Sequence, residues 1–397
     1  MVLTRLARLC WRELCSLASD PRLLLIVLVT PIAYTVLFGF LYMPKRILHI
    51  PTWVIDQDQS SLSRGIMMAT ANNETFKVVR VGGTVDEFRQ ATFDGTAYAC
   101  IIIPPHFSED LKRGKSVRLL TLIEGGNMII ANSVTKGAAE IGGTYSVGVQ
   151  MKRLSMRGTP SMYAMPSSIP IESATRVWNN PTYNYMDFLF PGLIGTVVQQ
   201  VTLLGVALAF AREREKKLLP SVLRISRSPL ELLAAKGILY TFLNLLVAAL
   251  SFVLVVKWFG VTLNGSAALF MLLLAIFVVA LVAMGIVISA VAKDQLFATQ
   301  ILMLIAVPSF LLSGYTWPQI GMVKGILALS NILPLTHFVL PQRQIFMQGA
   351  SFDMIRPHLL WLWVLTIVSY VLAYFVIAYA MRKAAREQQE TAVVAME

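Results

Sequence analysis

Charge is scarce in this sequence, and most exclusions follow from that. Asp, Glu, Lys and Arg make up 14% of the 397 residues. An ordinary soluble domain carries about 25%. Hydrophobic residues reach 56%, and mean hydropathy is +0.65. A disordered chain, a coiled coil and a typical soluble enzyme are therefore excluded. Cysteine is nearly absent. Cys10, Cys15 and Cys100 cannot build a disulfide framework, and Cys100 stands alone outside the N-terminal segment. The four histidines, His49, His106, His337 and His358, show no metal-ligand spacing, so no metal site is expected. The little charge present leans one way, to a net +12. In a soluble protein that balance would raise nucleic-acid binding; in so apolar a chain it belongs to membrane edges, where basic residues meet anionic lipid.

What is abundant is long apolar sequence. A bilayer core needs about 20 apolar residues in helical form. The stretches near Arg22–Met43, Phe188–Ala211, Ala234–Val256, Ala267–Ala292, Leu296–Ser313 and Leu359–Met381 meet or approach that length. No small-residue cleavage site follows the first, so it is read as a retained anchor. Ahead of it, Leu3, Leu6, Cys10, Leu14 and Leu17 recur at helical steps, with Arg5, Arg8 and Arg12 mostly elsewhere. That pattern predicts an amphipathic interfacial helix, ended by Asp20-Pro21.

Residues 44–186 alternate strand and helix patterns. Ile50–Ile55, Phe76–Val81, Tyr98–Ile103 and Val117–Ile123 read as strands. Ser60–Ala71, Val85–Phe93, Phe107–Arg113 and 127–154 read as helices. The expected fold is thus an α-helical membrane protein of six transmembrane helices with an inserted extracytoplasmic α/β domain. Its parts are 1–43, an interfacial elbow and first span; 44–186, the inserted domain; and 187–397, the five remaining spans. Residues 314–358 are apolar but broken by Gly314, Pro318, Gly321, Gly325, Pro334 and Pro341. Two short helices, near Ile320–Leu329 and Leu335–Phe346, fit them better than a span, and a re-entrant hairpin over 314–346 is expected.

Basic residues crowd the N-terminal segment, the stretch 212–236 and the end of the last span at Arg382, Lys383 and Arg386. The short loops on the other side hold only Lys257, Lys324, Arg343 and Arg356. Both termini are therefore expected in the cytoplasm, since a long domain such as 44–186 translocates regardless of its charge.

The spans read as free of ionisable residues, which argues against a proton-coupled carrier. Gly114-Lys115-Ser116 matches the end of a nucleotide-binding loop, but Glu109 stands where its first glycine belongs, and a polar turn is the expected role. Thr144-x-Ser146-x-Gly148 lacks the first glycine of a nucleophile elbow. Asp56 and Asp58 follow a strand and are expected to cap the next helix. Asn73-Glu74-Thr75 and Asn264-Gly265-Ser266 are glycosylation-type triplets, meaningful only in a eukaryotic secretory setting. No catalytic residue emerges. Gly192-x-x-Gly195 and Gly205-x-x-x-Ala209 permit close helix approach. The run Arg212-Glu213-Arg214-Glu215-Lys216-Lys217, continuing through Glu231 to Lys236, has two readings. It anchors the inner membrane face with intrahelical pairs, or it docks on a soluble partner.

The order of these parts resembles the permease subunits of ABC-2-type exporters, in the branch with a large periplasmic domain after the first span. The resemblance spans nearly the whole chain. Its most specific pieces are Phe188-Leu189-Phe190-Pro191-Gly192-Leu193-Ile194-Gly195, then Arg212–Lys216, then Ser228-Pro229-Leu230-Glu231-Leu232 with Ala235-Lys236. Leu312-Ser313-Gly314-Tyr315-Thr316-Trp317-Pro318 and Leu333-Pro334-Leu335-Thr336-His337 follow, with Arg343. The family's Gly-Thr after the charged run is replaced here by Lys217-Leu218-Leu219-Pro220, and Arg227-Ser228-Pro229 stands where Thr-Pro is usual. The resemblance implies a multi-pass subunit of a bacterial inner membrane, not itself an enzyme, exporting a hydrophobic or amphipathic small molecule such as a drug. A separate ABC ATPase would hold ATP and Mg, leaving no cofactor in this chain. A second permease, identical or a sibling, would complete a dimer, and a periplasmic adaptor could meet the inserted domain. The segment 212–231 would be the coupling helix, with Arg212, Glu213, Arg214, Glu215, Lys216, Lys217, Glu231 and Lys236 contacting the ATPase. Phe190, Pro191, Gly192, Gly195, Gly314, Trp317, Pro318 and Pro334 would shape the pathway and its outer gate. The alternative is a membrane-anchored extracytoplasmic binding or sensor scaffold.

Overall fold

Asp20 decides where the first long helix begins. Its Oδ1 accepts from the amides of Arg22 (3.1 Å) and Leu23 (3.3 Å), and Pro21 takes a position that needs no donor. The computed structural model describes residues 2–113, 115–156, 178–215, 225–226, 228–292 and 294–394. α1 (Val2–Ala18) precedes Asp20 and α2 (Pro21–Tyr42) follows it. The hydrogen-bond ladder of α2 widens over Leu25–Val29, just ahead of Pro31, which has no amide to donate. The buried stripe of α1 differs from the expected one. Leu9, Glu13 and Leu17 face inward at four-residue steps, while Leu3 is 81% exposed. A polar group sits in the middle of that stripe, which the apolar pattern alone could not place.

The chain divides into two compact units, Met1–Lys45 with Trp178–Glu397, and Arg46–Val177. The second contains β1 (Ile50–Asp56), α3 (Ser61–Asn72), β2 (Phe76–Val81), α4 (Val85–Phe93), β3 (Ala99–Ile103), α5 (Phe107–Lys112), β4 (Leu120–Ile123) and α6 (Met128–Met156). The sheet order is β2-β1-β3-β4; β1 is parallel to β2 and β3, and β4 is antiparallel to β3. Ile50, Val54, Ile66, Ile101, Phe107 and Ile141 form the core on one face. Trp53, Ile55, Phe88, Cys100 and Ile102 form it on the other. Burial on both faces explains why β1 and β3 read as nearly continuous apolar runs. Ser60 with Ser63, and Thr84 with Glu87, close reciprocal caps on α3 and α4. β4 starts at Leu120; Val117, expected to open this strand, lies in irregular backbone.

The first unit resumes with α7 (Tyr185–Glu215), α8 (Pro229–Trp258), α9 (Ala267–Val291) and α10 (Gln295–Leu312). Ser228, Ser266 and Asp294 cap the last three of these. A 3₁₀ turn, Gln319–Gly321, leads into α11 (Lys324–Ile332) and α12 (Thr336–Arg343), and α13 (Phe352–Val394) closes the chain. The two short helices lie within the expected hairpin segment. α13 begins at Phe352 rather than Leu359 because Pro357 sits inside its first turns without ending it. Among the described residues six helices (α2, α7, α8, α9, α10 and α13) are long and apolar enough to cross a membrane. The fold is that of an α-helical membrane protein with an inserted α/β unit.

Burial separates centre from periphery. In the most apolar stretch of each helix, 76% of α7 and 67% of α9 is buried, against 28% of α2 and 22% of α10 and α13. α7 and α9 form the middle, and the outer helices turn apolar surface outward, as hydrocarbon contact requires. Gly205 makes the close approach expected of it: a Cβ there would stand 2.6 Å from Val27 of α2.

Candidate functional site

Charge is concentrated where α1, the last turn of α7 and the first turns of α8 meet. Lys236, on α8, is fully buried. Its Nζ donates to Glu13 Oε2 at 2.8 Å and pairs with Glu213 Oε2 at 2.8 Å. Arg12 closes the ring, with Nη1 at 3.1 Å from both Glu13 Oε1 and Glu213 Oε1. Two carboxylates thus alternate with two cations. Burial raises the Glu13 carboxyl above its ordinary range, against the pull of Lys236. A step away, Arg212 Nη1 donates to Asp20 Oδ2 at 2.7 Å and to the Ser16 carbonyl at 3.3 Å. Glu215 accepts from the Gln295 amide at 2.9 Å, tying α7 to the start of α10. Removing one partner of such a buried set costs roughly 3–5 kcal/mol, because the remaining charge is left unpaired in low dielectric.

This arrangement corrects two expectations. Lys236 lies inside a spanning helix, within both the expected run Ala234–Val256 and α8 as observed, so the spans are not free of ionisable residues. Arg212, Glu213 and Lys236 do not form an exposed docking face: they are 8%, 5% and 0% exposed and paired within the chain. Glu215 is exposed, and Glu231 is partly buried beside Ser226 and 4.0 Å from Arg5. The side chains of Arg214, Lys216 and Lys217 lie outside the described residues, as does most of 216–227. Arg12, Glu13 and Asp20 were missed as partners. The available signal was Glu13 at four-residue spacing between Leu9 and Leu17, an acid on a buried stripe.

The opposite end of α7 is built around Tyr315. Pro191 leaves a gap in the amide donors of the helix, and Gly192 leaves the surface beside it bare. The Gly192 amide donates to Tyr315 Oη at 3.1 Å, and the same hydroxyl donates to the Phe188 carbonyl at 2.5 Å. The phenol therefore stands between the donor and acceptor of one helical i→i−4 pair. Arg343 holds it from the other side. Its Nη2 donates to the Tyr315 carbonyl at 2.6 Å, and its guanidinium lies 3.9 Å from the Tyr315 ring centroid and 4.5 Å from that of Phe188. Gly314 adopts φ +81°, which turns the chain back toward Gln319 and Leu340. Gly195 packs on Phe338, whose ring stacks on Phe277 at 4.1 Å. Phe190 is buried edge-on to Phe259. Trp317 is exposed, Pro318 precedes the 3₁₀ turn, and Pro334 separates α11 from α12. Of the expected gate residues, Gly192 and Gly314 border the Tyr315 cluster, whereas Trp317 faces away from the interior.

His337 and His358, isolated in sequence, meet here with Nδ1 atoms 3.1 Å apart. Among the described residues no group of three His, Cys, Asp or Glu could hold a metal ion. In the inserted unit, Asp56 accepts from the amides of Asp58 and Gln59 and from Ser63 Oγ, and Asp58 accepts from Ser108. Asp56 fixes the turn after β1 and Asp58 ties it to the start of α5; neither is the expected N-cap of α3, which is Ser60. Lys115 pairs with Asp110 at 2.9 Å in a polar turn.

The ABC-2 family transporter protein family matches residues 21–375. Escherichia coli K12 contains several relatives. The probable multidrug ABC transporter permease YbhS is 25% identical over 87% of this chain and 89% of that protein. The probable multidrug ABC transporter permease YbhR is 25% identical over 93% and 97%. The inner membrane transport permease YhhJ is 26% identical over 92% and 94%. With six spanning helices, an inserted α/β unit and a family match over most of its length, the chain belongs to the ABC-2 transporter family.

Proposed function

We propose that the chain is the permease subunit of an ATP-driven exporter in a bacterial inner membrane, with both termini cytoplasmic. Its cargo is a hydrophobic or amphipathic small molecule, in keeping with relatives named as multidrug permeases. The observation that carries this reading is the buried charge ring of Arg12, Glu13, Glu213 and Lys236. It fastens the last turn of α7, the most buried spanning helix, to α1 and α8. The segment 212–231 issues from that turn. A partner ATPase that moved this segment would move α1, α7 and α8 as one body, the rigid-body route by which a small displacement at one end switches a cavity at the other. ATP and Mg belong to that partner. A second permease completes the pathway, and the inserted unit faces the periplasm, where an adaptor could meet it.

The test is purification of the tagged chain from its native membrane in mild detergent, with mass spectrometry and an ATPase assay. A stoichiometric ATPase should copurify and be lost when Lys216 and Lys217 are both changed to Glu, with membrane insertion unchanged. A clean preparation without an ATPase rejects the exporter reading.

A further inference from the structure

The α/β unit contains a cavity of about 700 Å³, within the range of roughly 300–1,000 Å³ typical of small-molecule sites. It lies between one face of the sheet, α3, α5, α6 and the turn before β4. Ile66, Ile101, Phe107 and Ile141 are buried behind the cavity, and the partly exposed side chains of Leu111, Val117, Leu119 and Ala138 form its apolar surface. Lys115 and Ser116 supply one polar side, and Tyr145 and Ser146 another. Lys115 and Ser116 belong to the Gly-Lys-Ser triplet that resembles the end of a nucleotide-binding loop without being one. Residues 109–118 carry four basic side chains against two acidic ones, so the rim is net positive. The pair Lys115–Asp110 is exposed, at 63% and 34%, and such pairs are weak enough for a ligand anion to compete.

We propose that this cavity binds an amphipathic acid: an apolar chain or ring body seated against Leu111, Val117, Leu119 and Ala138, with its carboxylate or sulfonate beside Lys115. A mixed lining, with an apolar strip beside polar groups and a net positive rim, selects such a molecule over an uncharged or cationic amphiphile. The site lies wholly within the α/β unit and does not depend on the exporter reading.

Gly142 gives the means to test it. It lines the cavity, and no atom lies within 4 Å of where a Cβ on it would stand. A side chain there starts in open space at the cavity wall, and a large one takes up volume that a ligand would need. The full chain, in lipid nanodiscs, is exposed to a diazirine-bearing dodecanoate, irradiated and mapped by peptide mass spectrometry. Covalent label is expected within 107–121 and 138–146, displaced by plain dodecanoate and much less by dodecyltrimethylammonium. Gly142→Trp should abolish that label while leaving label in the spanning helices. Lys115→Glu should weaken displacement by dodecanoate roughly fivefold and strengthen displacement by the cation, a gain that misfolding cannot produce. Label confined to the spanning helices, or cavity label that survives Gly142→Trp, overturns the site. Displacement unchanged in Lys115→Glu overturns the assignment of an acid.

Discussion

The ring of Tyr315 occupies the space where residue 192 would carry a side chain. A Cβ on Gly192 would stand 2.1 Å from the Tyr315 ring, far inside van der Waals contact. The motif Phe-Pro-Gly thus opens α7 at the point where a side chain from the hairpin enters it. Gly192→Ala should expel the phenol and release the hairpin from α7. The expected outcome is loss of export in membrane vesicles with normal insertion. Tyr315→Ala in the same chain should recover part of the lost thermal stability, because the clash is gone. Normal export by Gly192→Ala alone would remove Tyr315 from the working parts.

Tyr315→Phe separates the hydroxyl from the ring. The cation–π contact with Arg343 survives, but Gly192 and Phe188 lose a shared partner. Stability should fall by about 1–3 kcal/mol, the cost of leaving buried polar groups unpaired. A melting temperature equal to the native chain's would mean that Gly192 and Phe188 bond each other directly once the phenol leaves.

The charge ring makes a prediction about coupling between mutations. Lys236→Met leaves two carboxylates facing one Arg12, and Glu213→Gln leaves two cations facing Glu13. Each single change should destabilise by roughly 3–5 kcal/mol. The double change leaves Arg12 and Glu13 as a neutral pair, so its cost should be well below the sum of the two. Additive costs in a thermal-unfolding cycle would show that the two residues act separately.

Much of this was legible in the sequence because periodicity and caps are local. Every spanning helix was visible as an apolar run, though α8 starts at Pro229, ahead of the expected Ala234, because Ser228 caps it. The charge ring was not legible, because Arg12 and Glu13 lie 201 to 223 positions from their partners Glu213 and Lys236 and meet them only through tertiary packing. Arg212 and Glu213 look identical to solvated inner-face charges until α1 is laid over them. The Tyr315 cluster was half legible: Gly192 and Gly314 announced a special backbone, but nothing local named the side chain that fills it.

Thiol chemistry tests the orientation. Cys15 is exposed on α1, whereas Cys100 is buried in the α/β unit, where burial pushes its thiol up to about 11. A membrane-impermeant maleimide at neutral pH should therefore label Cys15 in inverted vesicles and not in intact spheroplasts. Cys100 should react only after denaturation. Labelling of Cys15 in intact spheroplasts would reverse the assigned topology.

Two buried side-chain amides have no hydrogen-bond partner among the described residues. Gln199 on α7 and Gln342 on α12 are each 1% exposed, and neither the oxygen nor the nitrogen of either amide is hydrogen-bonded within the protein. An unpaired buried amide costs about 1–3 kcal/mol, and an apolar group of similar shape would remove that cost. Gln199→Leu and Gln342→Leu should therefore each raise the melting temperature. If the amides serve as hydrogen-bonding groups toward cargo or water during transport, each change should also slow export. A more stable and slower permease is the expected outcome of both substitutions. A melting temperature that falls would mean that the amides are satisfied by bound water in the resting state, and export at the native rate would remove them from the pathway.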